Sequence, residues 1–439
     1  MIRNKHLLSL QIFNGMRFGT AILIAVVLAK VAGTDLVGLY ESLILVGTTV
    51  TFFYASAINH TLVPFVGGLQ KGSQHSAYSS AFIILLLGSV ISLLSMLVYS
   101  RFINSARESY LIFYYGIYIL LNTPALLAEN ILVVEKRKRS LVGYGVLSFT
   151  AQVAAICVPL IKVGMEQPLV ADLYAAIFYL TIVAALKLGY TLYLIKRHSS
   201  FRWNRKEVAE LLRISSPVMG SLFLANGYLY LSTFLVKFQA STEEFNIFRY
   251  GAREFPLFMI MANSFSTIKS GELAENLGDL KDGLRQMKKD TERLAHQLFP
   301  MAIALSLLSE PLFRLAFNAQ LTPAHEIFSL LLLLLTSRLL FPQSILLALK
   351  RNRSMIYASA IEFCVGLGLS IWWMPIHGIQ GVAWAMVVAH LIDKVVLTYY
   401  LNKEGIAVST YVPLRILLIY SALLLAAIFM DPLSTIVQK

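Results

Sequence analysis

Thirteen apolar runs succeed one another along the chain. Each is close to the roughly 20 residues that a helix needs to cross a bilayer. Bounded by Gly, Pro or clustered charge, they fall at 12–32, 38–60, 77–99, 110–133, 143–163 and 170–195, then at 214–236, 248–268, 296–316, 325–349, 354–375, 379–402 and 411–430. They consume most of the 439 residues, so the connections are short and no room is left for a sizeable soluble domain. Composition agrees: 57% of residues are hydrophobic, 14% are charged and mean hydropathy is +0.69. Water-soluble domains carry about 25% charged residues. The pattern excludes a soluble fold and predicts an all-α polytopic membrane protein.

The net charge of +13 would suggest nucleic acid in a soluble chain. Here most of the basic residues fall in alternate connections, so no nucleic-acid partner is expected. With a cytoplasmic N-terminus, the inside segments 1–11, 61–76, 134–142, 196–213, 269–295, 350–353 and 403–410 hold 23 Lys and Arg. The outside set holds 5, namely Arg101, Arg107, Lys162, Lys237 and Lys439. Adding or removing one span would scramble that bias, which therefore supports both count and orientation. The N-terminus has a basic start but no small-residue cleavage site, and reads as a lead-in to a retained first helix. Cys157 and Cys364 both lie in apolar runs and imply no disulfide or metal framework.

The inside connections differ in character. Lys136-Arg137-Lys138-Arg139 reads as a topology anchor facing anionic membrane lipid. Segment 196–213 is basic and amphipathic, with Trp203 suited to the interface. In 271–295, Leu273, Leu277, Leu280 and Leu284 recur at three- and four-residue steps, as on a surface-lying helix.

An internal repeat links the two halves. AGTDLVGLY (32–40) matches ASTEEFNIF (240–248) at an offset of 208 residues. The same offset carries Ile195, the end of the sixth run, to position 403, and Cys157 to the neighbourhood of Cys364. The expected architecture is two six-helix lobes in parallel pseudo-two-fold repeat plus one extra C-terminal transmembrane helix. Its boundaries are 1–195 for the first lobe, 196–213 for a cytoplasmic amphipathic linker, 214–403 for the second lobe and 404–439 for the additional helix and tail. Parallel repeats of this kind are a transporter arrangement, with the substrate site between lobes near the midplane.

Ionisable groups at membrane depth are costly and mark function or pairing. Arg17 lies roughly 8–10 Å inside the first run and has no acid at i±3 or i±4. It reads either as an anion-binding residue or as a snorkelling arginine near a helix end. Arg249 and Arg253, four apart, would share one helical face, and such a guanidinium pair suits a phosphate or pyrophosphate; an interfacial anchor is the other reading. Glu41 is the repeat equivalent of Arg249, and the two could form a gate latch. Arg338 and Glu362 fall at depths of ~16 and ~12 Å and are expected to pair inside the second lobe. Glu310 and Arg314 form an i, i+4 pair. Lys187 and Lys394 are near-equivalent under the repeat and, with Asp393, suggest a basic vestibule. Asn226 and Tyr230 are mid-span and four apart, so they could line a sugar-accepting face, whereas Trp372-Trp373 suits the interfacial belt. No metal ligands and no cofactor are expected.

There is no P-loop, HExxH, GxSxG or clustered Cys/His, and no outside loop exceeds about 10 residues. These absences speak against an integral-membrane polymerase or acyltransferase and point to a non-enzyme. LAKVAGTDLVGLYESL (28–43), FNIFRYGAREFP (245–256) and MPIHGIQGVAWAMVVAHLIDKVV (374–396) resemble segments of Wzx-type polysaccharide or O-antigen flippases, within the multidrug/oligosaccharidyl-lipid/polysaccharide exporter superfamily. The resemblance covers residues 1 to about 403; the thirteenth run departs from that group's usual twelve or fourteen. It implies a multi-pass protein of the bacterial cytoplasmic membrane that moves undecaprenyl-pyrophosphate-linked oligosaccharide outward by alternating access. It also implies a V-shaped cavity whose cationic lining, here Arg17, Arg249 and Arg253, holds the pyrophosphate. A polysaccharide polymerase or glycosyltransferases would be partners. The drug and cation antiporters of the superfamily commonly carry an acid in span one, where this chain carries Arg17. A cation-coupled small-molecule (MATE-like) antiporter is the alternative.

Overall fold

The computed structural model describes residues 2–67, 74–102, 106–161, 168–198, 205–253, 255–275, 279–349 and 351–429, and among these every regular element is helical. Trp203, Glu254, Leu277 and the final ten residues lie outside that set. Two compact units divide the chain, Met1–Phe223 and Leu224–Lys439.

The first unit contains α1 (Ile2–Val31), α2 (Thr34–Gly67), α3 (Gln74–Ser100), α4 (Ala106–Ala125), α5 (Leu127–Val134), α6 (Lys138–Leu160), α7 (Val170–His198) and the first half of α8 (Arg205–Gln239). Its helix pairs are α1 on α6, α2 on α3, α3 on α4, and α7 on both α4 and α6. The core is aliphatic and aromatic, with Ile58, Leu62, Leu85, Leu127, Ile131 and Leu141 almost wholly inaccessible. Close helix approach in a membrane protein depends on small residues, and Gly145 of α6 shows why: a Cβ there would meet Phe13 of α1 at 2.7 Å. The fourth run is interrupted after Ala125, next to Pro124, so it is built as α4 followed by α5. The basic knot makes the tight turn into α6, with Lys136 at φ 56° and Arg137 paired to Glu135 at 2.8 Å.

α8 runs unbroken from Arg205, so residues 205–213 form its first turns, and the division between units falls inside this helix. The second unit continues with α9 (Thr242–Gly251), α10 (Pro256–Glu275), α11 (Leu280–Leu307), α12 (Ser309–Ala316), α13 (Ala324–Leu332), α14 (Leu334–Arg338), α15 (Pro342–Ala348), α16 (Asn352–Lys403), α17 (Val408–Tyr411) and α18 (Leu414–Phe429). The junctions at the proposed repeat carry the 208-residue offset in their bounds: α1 ends at Val31 and α8 at Gln239, α2 starts at Thr34 and α9 at Thr242. Ser241 caps α9 through a reciprocal box with Glu244, which satisfies amides that the helix start leaves bare.

Several expected spans are broken here. The run at 248–268 is not one helix: α9 ends at Gly251, and α10 begins at Pro256. A proline drives the residue before it out of helical geometry. α11 and α12 meet at a bend of 67°. The run at 325–349 is three short helices, and the left-handed Phe341 (φ 51°) separates the last two. Residues 271–295 are divided between α10 and α11, whose ends pack together: Leu273 and Leu284 are buried, and Lys269 reaches Asp290 at 2.7 Å and Glu272 at 2.6 Å. Burial raises the Asp290 carboxyl, but hydrogen bonds from Lys269 and Gln286 and the charges of Lys269 and Arg293 bring it below its ordinary value.

α16 is two helical arms that meet at a kink. Gly378 adopts φ 58°, ψ −146°, and the helix reverses there. A Cβ on Gly381 would lie 2.6 Å from the Trp373 carbonyl oxygen, eight residues back, which places the two arms against each other. The thirteenth run joins the second unit: Tyr420 of α18 stacks on Phe299 of α11 at 5.2 Å, its hydroxyl is 2.8 Å from His296 Nδ1, and Ser421 bonds Thr336 at 2.9 Å. Among the described residues, nine helical segments are long and apolar enough to cross a membrane, or ten with the bent α11–α12 pair as one, α16 counting once.

Candidate functional site

In the first unit the polar groups gather around one ion pair. Arg17, on α1, lies against the Phe13 ring at 5.2 Å and is ion-paired with Glu129 of α5. Its partner is thus on another helix, out of reach of a search along its own turns. Lys187 of α7 is buried, and its Nζ donates to the side-chain oxygen of Asn122 at 2.9 Å. Glu129 and Arg17 are the charged neighbours of Lys187 and also of Tyr144. Tyr144 stacks on Tyr190 at 5.5 Å. Next to Glu129 in the chain, Asn130 donates to Asn59 at 2.7 Å. Glu129 is the residue that sequence reasoning passed over, although an acid inside the fourth apolar run was itself the signal.

Glu41 of α2 is fully buried, with Tyr115 as an electrostatic neighbour. In the second unit, Asn226 and Tyr230 sit half-buried on α8, and Arg249 of α9 is the charged neighbour of Tyr230. The expectation that Arg249 and Arg253 share one helical face is corrected: Ala252 caps α9, so Arg253 lies beyond the helix. The break before Pro256 is the cause. Arg253 turns onto the Tyr250 ring at 4.5 Å. It shares a small apolar cavity with Arg338, lined also by Phe255, Phe258 and Phe328. The structure therefore groups Arg253 with Arg338, which lies 85 positions further on in the sequence.

A second charged cluster occupies the α16 hairpin. Glu362 is buried; its Oε1 is 3.0 Å from His390 Nδ1 and accepts from the Tyr228 hydroxyl at 3.5 Å. Asp393, Lys394 and Arg338 are its charged neighbours. Lys394 and Asp393 are themselves paired at 2.8 Å, each side chain 6% exposed. Glu362, His390 and Asp393 each offer one ligand atom, all within 4.8 Å of one another, a geometry able to hold a cation where the sequence suggested no ligand set. Lys394 already supplies positive charge to Asp393. The reversal at Gly378, in the gap between the runs at 354–375 and 379–402, brings Glu362 and His390 together. Glu310 and Arg314 pair at 2.9 Å as their spacing requires, and both cysteines are free.

Long apolar helices, helical breaks and buried charge clusters in each unit are features of a multi-pass membrane protein. No family model matches the chain, and no curated protein matches it by sequence. Solved structures do match. The chain is similar to lipid II flippase MurJ in an inward closed conformation, at 16% identity and TM-score 0.69 over 96% of this chain and 92% of that one. An inward-facing multidrug resistance MATE family transporter of the MOP superfamily matches at 12% identity and TM-score 0.62, over 88% and 93%. A MOP superfamily transporter from Pyrococcus furiosus matches at 10% identity and TM-score 0.61, over 92% and 95%. At these identities the likeness establishes the fold, which is that of the MOP transporters.

Proposed function

We propose that the protein is a Wzx-type flippase, moving an undecaprenyl-pyrophosphate-linked oligosaccharide across the bacterial cytoplasmic membrane by alternating access, for surface polysaccharides such as O-antigen. The observation that carries this reading is the gathering of Arg17 and the buried Lys187 around a single carboxylate, in a chain with the fold of a lipid II flippase. Two cations against one acid leave a formal positive surplus at membrane depth, where charge is retained only for a partner. Arg17 in the first unit, and Arg249 and Arg253 in the second, are each suited to phosphate charge, since guanidinium matches phosphate oxygens bidentately. Asn226 and Tyr230 take sugar hydroxyls, and the polyprenyl tail stays in lipid. No bond is made or broken. The N-terminus faces the cytoplasm, and glycosyltransferases or a polymerase act before and after the crossing. A strain lacking the protein accumulates lipid-linked repeat units on the inner leaflet; unaltered surface glycan overturns the reading.

The MATE-like alternative, a cation-coupled small-molecule antiporter, is favoured by the Glu362, His390 and Asp393 cluster. Drug efflux that requires Glu362 and tolerates Arg17→Gln would decide for it.

A further inference from the structure

The pair of Arg17 and Glu129 is asymmetric in its surroundings. The guanidinium side chain is 46% exposed and the carboxylate 14%. Lys187 stands by with its ammonium held by Asn122, an amide oxygen that cancels no charge. The Tyr144 hydroxyl, whose charged neighbours are Glu129 and Arg17, is buried and takes no hydrogen bond among the described residues. The second unit treats its corresponding lysine differently: the 208-residue offset carries Lys187 to the position next to Lys394, whose ammonium Asp393 neutralises directly. Unmatched cation and an unused hydroxyl therefore meet around Glu129 in the first unit.

We propose that Glu129 is an internal counter-ion, paired with the Arg17 guanidinium and displaced from it by a phosphate or pyrophosphate group. This rests on the phosphate-lipid reading above and adds an affinity-setting residue to it. A carboxylate and a phosphate present similar oxygen edges to a guanidinium, but pyrophosphate brings more charge and more acceptors. It therefore displaces the single carboxylate and gains Lys187 and the Tyr144 hydroxyl as further donors. The displacement exchanges ion pairs and hydrogen bonds only. The carboxylate keeps Arg17 compensated when no cargo is present, and by competing it keeps the cargo releasable.

The test is binding of farnesyl pyrophosphate and of inorganic pyrophosphate to the full-length purified protein at matched ionic strength, by calorimetry. Glu129→Gln is expected to tighten both by roughly three- to tenfold, the scale of one ion pair. Arg17→Gln and the double variant should bind equally weakly, because Glu129 acts through Arg17. Glu129→Asp, which keeps the charge but withdraws it by one methylene, should tighten by less and serves if Glu129→Gln does not fold. A purely structural ion pair would give unchanged or weaker binding in the Glu129 variants while wild type still binds, and that result overturns the counter-ion. Wild type binding neither probe more tightly than sulfate overturns the phosphate-lipid reading and this inference with it. Preference for the farnesyl probe over inorganic pyrophosphate assigns the site to a lipid headgroup; equal binding assigns it to free phosphates and overturns the lipid part.

Discussion

Glu362 and His390 stand 3.0 Å apart, Oε1 to Nδ1, although 28 residues separate them within a single helical element. An unbroken helix would hold them about 42 Å apart. The contact exists because the chain reverses at Gly378, and the two glycines of the P-x-x-G-I-x-G segment serve that reversal by different physics.

Gly378 has open space where a Cβ would stand, so Gly378→Ala pays in backbone strain alone. Its φ of 58° with ψ −146° is a region that side chains avoid, at a cost of about 1–3 kcal/mol. Gly381→Ala is strained for the opposite reason, since its Cβ meets the Trp373 backbone at 2.6 Å. Both variants should lower the apparent melting temperature in detergent. The Gly378 variant should do so without disturbing the environment of Trp373, read from tryptophan emission.

The pairing of Lys394 with Asp393 predicts a sharply non-additive pair. Lys394→Met leaves a carboxylate only 6% exposed without its cation, and breaking such a pair costs roughly 3–5 kcal/mol. Combining it with Asp393→Asn should recover most of the loss. Melting of the four proteins completes the cycle.

Docking of the last helix rests on Tyr420. Tyr420→Phe keeps the ring stacked on Phe299 and removes the hydrogen bond with His296, a loss of about 0.5–1.5 kcal/mol. Tyr420→Ala removes both and should cost more. Protease accessibility of the α18 segment should rise in the same order.

At the junction of α10 and α11, Asp290 is held below its ordinary value of 3.8. Such a carboxylate stabilises the fold fully above that value, and the contribution is lost as pH falls through the lower folded value. Asp290→Asn should therefore be less stable than wild type by about 1 kcal/mol near neutrality. The difference should close in acid, as measured by melting across pH.

The helical membrane fold was legible because apolar length announces a bilayer crossing directly. At the proposed repeat junction, Thr34 and Thr242 each open a helix at the 208-residue offset read from the sequence. The breaks were less legible. Pro256 carries its signal openly and explains why Arg253 leaves the helix of Arg249, whereas four-residue spacing alone places the two on one face. Phe341 gave no sign of its left-handed conformation, because a phenylalanine there is imposed by packing rather than preferred. In the candidate sites, Arg17 was found by its type and depth. Its partner was missed because Glu129 is distant in sequence, and single-sequence periodicity relates only residues on the same helix.

The reversal at Gly378 also bears on how the chain is made. Two crossings joined by one residue cannot be threaded into the bilayer independently, since the first has no tether on which to wait for the second. They are therefore expected to enter as a pair, with Glu362 brought toward His390 as the hairpin forms. The same joint leaves only the exposed residues 375–377 for a tag, an antibody or a protease to grasp.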